Sequence, residues 1–181
     1  MRWAGAVVLA ILLSRDAAAS GVITFGPPHH ARRSRAVLDH RLRAVIDAAL
    51  AGGAPRTTDA AIAFTLAVAG RSLHFGLGHR TRLAFTTAER EGNCIEYAHL
   101  FAAVFERAAR RGGVDAAAWV IHSDDARVLG GRLPVRGLHD HDWVLIQDRS
   151  TGARWFVDPT LADAGLGWDI RGNVRGEVTA R

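Results

Sequence analysis

An α+β fold is predicted for this chain from three observations. The first half carries apolar residues at helical spacing. The second half switches to short strand-like runs. A Ser150-Thr151-Gly152 turn joins two of those runs into an antiparallel hairpin.

The first helix is expected from about Ser34 to Leu50, where Leu38, Leu42, Val45, Ile46 and Ala49 recur on one face and Gly52, Gly53 and Pro55 follow as a stop. A second begins after Thr57-Thr58 and closes at Gly70; its centre is apolar nearly all round, which predicts burial on several sides. Residues 71–93 read as loop-rich. The third helix starts near Asn93 or Cys94 and runs to about Arg111, with Gly112-Gly113 as the stop. Strands are then expected over 115–122, over Trp143 to Gln147 and over Arg154 to Val157, with a Gly- and Arg-rich loop over 123–138.

The 181 residues suffice for one domain with a sizeable core. Apolar content is 49% and charged content 23%, as in globular chains, so disorder is not expected of the main body. All 23 positive side chains are arginine, and the net charge of +5 is spread along the sequence. No basic run with interleaved aromatics stands out, so a nucleic-acid partner is not expected.

Residues 1–20 read as a secretory signal. Arg2 precedes the apolar run Ala4 to Leu13, and Ala17, Ala18, Ala19 and Ser20 supply a small-residue cleavage site. The run is about half the length that a membrane span requires. An exported, periplasmic or secreted protein without stable membrane insertion follows, with an uncleaved anchor as the alternative. Residues 21–34, with Pro27, Pro28, His29 and His30, read as a flexible lead-in, and residues 35–181 as one domain.

Cys94 is the single cysteine. Exported chains commonly pair their cysteines, and one cysteine cannot crosslink its own chain, so a chemical reason for it is worth seeking. At a helix start, free N–H groups and the positive end of the helix dipole favour a thiolate. The same groups can stabilise an oxyanion. Gly92 permits a tight turn and leaves the sulfur approachable. His141, at the entry of the second strand, is the candidate base and acid. Asp158, at the end of the return strand, is the candidate acceptor for the other ring nitrogen, since antiparallel pairing brings the two strand ends together.

These pieces resemble the transglutaminase-like superfamily, relatives of papain-type cysteine proteases. The match lies in Gly92-Asn93-Cys94 with Tyr97-Ala98, then His141-Asp142-Trp143-Val144, then Trp155 and Asp158-Pro159-Thr160, over roughly residues 71–169. The resemblance implies a papain-like core with the cysteine helix packed on an antiparallel sheet. It implies a Cys94 nucleophile, a His141 base, an Asp158 orienter and a thioester acyl-enzyme resolved by water or an amine. A peptide or protein substrate and no cofactor go with it. The family commonly has alanine after the histidine, where this chain has Asp142. Asp140 and Asp142 are expected to raise the base's pKa, or to meet a cationic group on the substrate. Asn93, Asp142 and Trp143 are candidates for the oxyanion site or substrate contacts, with His74 and His79 as further oxyanion candidates.

Other readings stay open. The alternating His139 and His141, with Asp140, Asp142 and Cys94, form a usable ligand set for zinc. Glu96 can meet substrate or simply sit in the first helical turn. Trp143 and Trp155 suit core or pocket wall, and Trp168 packing or a cap over the cleft. The fold can also serve as a non-enzymatic binding module.

Overall fold

The computed structural model describes residues 22–77, 80–132, 140–176 and 178. The expected signal segment therefore lies outside the described residues. Helices and antiparallel sheets share one body, as an α+β class requires.

The main sheet has four antiparallel strands in the order β11-β10-β7-β2: Arg154–Val157, His141–Asp148, Ala116–Ser123 and Pro28–Arg32. A second sheet joins β1 (Ile23–Phe25) to the hairpin of β8 (Ala126–Val128) and β9 (Gly131–Arg132). Two small parallel pairs complete the set among the described residues. They are β3 (Val37–Leu38) with β5 (Ala84–Phe85), and β4 (Leu73–Phe75) with β6 (Arg90–Gly92). Four helices lie among the described residues: α1 (His40–Gly52), α2 (Thr58–Ser72), α3 (Cys94–Gly112) and α4 (Pro159–Asp163).

The stretches read as loops over 71–93 and 123–138 hold the short strands β4, β5, β6, β8 and β9, and two expectations near the N-terminus need correction as well. Residues 22–34 are not a flexible lead-in: β1 and β2 lie there, each paired to a strand some 90 residues away or more in sequence. A pair of edge strands so short has no local periodicity to betray it, because its stability comes from its partners. The first helix also begins at His40 and not Ser34. Asp39 caps it by accepting from the Leu42 amide at 2.6 Å, and the preceding residues pair as β3.

Helix α3 is the centre of the molecule. One face, with Ala98, Phe101, Ala102 and Phe105, packs on Ala118, Val120, Val144 and Ile146 of the main sheet. The opposite face, with Tyr97, Leu100, Val104 and Ala108, packs on Leu42, Ile46 and Leu50 of α1 and on Val68 of α2. Burying each large apolar side chain stabilises by roughly 1.5–3 kcal/mol. Gly113 ends the helix in the left-handed region at φ 71°, where its amide reaches back to the Ala109 carbonyl. On the far side of the sheet, Ile121, Trp143 and Leu145 meet Phe25 and Ile170 in a third core. The strands thus have a helix on one face and the β1 region on the other. No helix among the described residues is long and apolar enough to cross a membrane.

Candidate functional site

Cys94 is the first residue of α3, and the local sequence explains why the helix starts there. Asn93 Oδ1 accepts from the amides of Ile95 at 3.1 Å and Glu96 at 3.2 Å. Glu96 Oε2 accepts in return from the Asn93 amide at 3.0 Å, which completes a capping box. Glu96 is fully buried, and its other oxygen takes the Arg90 guanidinium at 2.5 Å and the Arg82 amide at 2.9 Å. Glu96 therefore holds the segment before the helix. Asn93 Nδ2 donates to Thr81 Oγ1 at 3.0 Å. Gly92 lies in β6, where a Cβ would press on the Leu73 side chain at 3.0 Å. Gly92 thus sits in close packing against β4 and not in a tight turn.

His141 opens β10. Its Nε2 lies 2.6 Å from Asp158 Oδ2. Strand register accounts for the meeting. Val144 pairs with Val157, so one further step sets Asp158 opposite Trp143, on the face that His141 shares at i−2. Asp158 is fully buried and caps α4, its Oδ1 accepting from the amides of Thr160 at 2.9 Å and Leu161 at 3.1 Å. One carboxylate thus divides its oxygens between a helix cap and the imidazole. With Nε2 on Asp158, Nδ1 is the ring nitrogen left for the Cys94 thiol, which lines the same two cavities as His141. Burial pulls the His141 pKa down. The Asp158 charge and hydrogen bond, reinforced by Cys94, outweigh it and hold the ring well above its ordinary value.

The sequence did not single out Phe25. Its ring stacks on His141 with centroids 4.8 Å apart and planes 11° from parallel. Nor did it single out the bond from the Tyr97 hydroxyl to Asp163 Oδ2 at 2.6 Å, which ties α3 to the end of α4. No local signal marks either contact, because the partners are remote in sequence.

Asp142 does not flank His141 as expected. Successive strand residues face opposite sides, so Asp142 points to the α3 side of the sheet. That alternation was available from the sequence. Asp142 is buried, with Oδ2 on Arg32 at 2.5 Å and Oδ1 on His122 Nδ1 at 2.6 Å. The raised His141 pKa comes from Asp158 and Cys94, not from the neighbouring carboxylates. Trp143 is fully buried, donates Nε1 to Ser123 Oγ at 3.0 Å and stacks on Phe156. It is core. Trp155 donates to Asp59 at 2.9 Å.

No family model, curated protein or solved structure matches this chain. Function must be read from its own site. Cys94 and His141 lie side by side in two adjoining cavities. One, of about 240 Å³, is walled by Phe25, Ile23, Val128, Leu161 and Leu166. The other, of about 250 Å³, is walled by Asn93, His122, Asp140 and Asp142. His74 is exposed, 3.5 Å from Glu89. His79 and His139 lie outside the described residues. Among the described residues no cluster of three metal-ligating side chains occurs. The Asp124 carboxylate lies 2.9 Å from His29 Nε2 and 3.0 Å from His122 Nε2.

Proposed function

We propose that this chain is an exported cysteine-dependent hydrolase or acyl-transferase of the transglutaminase-like kind, acting on peptide or amide bonds. The observation that carries it is the continuous line Asp158–His141–Cys94, anchored at one end by the cap of α4 and at the other by the start of α3.

In this mechanism Cys94 reacts as thiolate beside a protonated His141. The sulfur attacks the substrate carbonyl carbon, and the carbonyl π-electrons move to oxygen. The capping box occupies the Ile95 and Glu96 amides, so the Cys94 N–H is the helix-terminal donor left for that oxyanion. When the tetrahedral species collapses, the C–N bond breaks and His141 gives its proton to the leaving amine. The product is a thioester on Sγ. His141, now neutral, takes a proton from water or an incoming amine as it attacks, and the thiolate leaves. Asp158 keeps the ring's tautomer and orientation throughout.

The test is alkylation of the mature protein with iodoacetamide across pH. Labelling of Cys94 that persists below pH 7 and disappears in His141→Ala supports the thiolate–imidazolium pair. A thiol that reacts only above about pH 8, as an unassisted cysteine does, overturns it.

A further inference from the structure

The cleft around Cys94 and His141 has two unlike ends. One is polar, with Asn93, His122, Asp140 and Asp142. The other is almost wholly apolar, with Ile23, Phe25, Val128, Leu161 and Leu166. Thr160 and Arg127 also border the apolar end, and Asp140 stands at the junction of the two; the Arg127 Nε lies 2.7 Å from Asp125 Oδ2, so its charge is already paired. Phe75 lines the same end and Leu77 borders both, while remaining 44% and 43% exposed. Large apolar side chains left in water beside an apolar hollow are the usual mark of a ligand surface. The hollow, at about 240 Å³, exceeds the roughly 150 Å³ that holds a benzene ring.

We propose that this end binds a large apolar side chain, leucyl or phenylalanyl in type, on the acyl part of the substrate. The inference rests on Cys94 forming the acyl-enzyme. The orientation follows from the chemistry. Water or an amine must reach the thioester and hand a proton to His141, which requires the polar end. The acyl group is left with the apolar one, where its burial also shields the thioester from one side.

Amino-acid chloromethyl ketones test this, since Sγ displaces chloride to form a stable C–S bond whatever the side chain. The leucyl and phenylalanyl ketones are expected to label Cys94 at least tenfold faster than the glycyl and aspartyl ketones, each rate taken relative to iodoacetamide. Val128→Glu is expected to erase that advantage. Should the new charge disturb folding, Val128→Ala provides a second variant, which enlarges the hollow and shifts preference from leucyl towards phenylalanyl. Equal rates for all four ketones, with iodoacetamide still labelling Cys94 below pH 7, overturn the apolar subsite and leave the nucleophile standing. Failure of iodoacetamide below pH 7 overturns the nucleophile and the subsite with it.

Discussion

Phe25 lies flat against the imidazole of His141, 4.8 Å between ring centroids, and is itself held by β1 backbone bonds to Asn173 and Arg175. Three remote segments therefore fix one ring: β1 by stacking, Asp158 by a hydrogen bond, and the start of α3 through Cys94. Phe25→Leu keeps an apolar core residue but removes the flat partner. It is expected to destabilise the protein by about 1–2 kcal/mol in urea unfolding. Alkylation of Cys94 at pH 6 is expected to slow several-fold. An unchanged alkylation rate would show that the stack does not orient the ring.

Asp158→Asn separates the two duties of one carboxylate. Asparagine caps helices as well as aspartate does, so α4 should stay capped. The amide lacks the charge that raises His141, and its NH₂ donates to Nε2. That drives the ring proton onto Nδ1, facing sulfur, and leaves no acceptor for the thiol. Cys94 alkylation below pH 7 is expected to fall at least tenfold. The sign for stability follows from the raised His141 pKa. In the native protein its contribution is fully present below about pH 6.5, the unfolded value, and fades as pH rises through the folded value. Urea unfolding of Asp158→Asn is expected to show a weaker decline on the alkaline side.

The Tyr97–Asp163 bond connects the helix that begins at Cys94 to the one that begins after Asp158. Burial, then the bond to Asp163, raises the Tyr97 pKa, so the phenol stays protonated and donating. Tyr97→Phe and Asp163→Ala are each expected to lose about 1 kcal/mol. The double variant should lose less than the sum, since both remove the same bond. Strict additivity in the cycle would show that the pair does not couple the helices.

His99 sits fully buried on α3, its Nδ1 accepting from the Arg35 amide at 2.9 Å. Burial, then the Arg32 charge, pulls its pKa down to about 4; Asp142 opposes and Arg35 adds to the lowering. The folded protein therefore prefers the neutral ring. That contribution is complete above pH 6.5 and is lost as pH falls towards 4, roughly 3 kcal/mol across the window. His99→Asn retains an acceptor near the Arg35 amide but cannot titrate. Its stability curve should be flatter between pH 6.5 and 4 than that of the native protein. A curve of unchanged slope would count against His99 as an acid-sensitive group.

The local structure was legible where its cause lies within a few residues. The α2 start at Thr58, the α3 span ending at Gly113, and the return strand Arg154–Val157 follow from caps, glycine and period. So does the presence of Cys94 at a helix start. What was not legible depends on partners far along the chain. Pro28–Arg32 looks like a linker because a prolyl, basic strand is specified by its pairing with Ser123 to Val120. Asp142 looked like a neighbour of the base, yet its oxygens are taken by Arg32 and His122 on the other face.

By itself, then, the sequence determined which residues could carry thiol chemistry and which local elements hold them. Only the tertiary structure decided what surrounds them. It put Phe25 on the imidazole, an apolar hollow at one end of the cleft and Tyr97 across to Asp163. The physical reason is range. Caps, turns and amphipathic periods act over one or two helical turns, whereas ring stacking, paired burial and cavity shape exist only once distant segments have met.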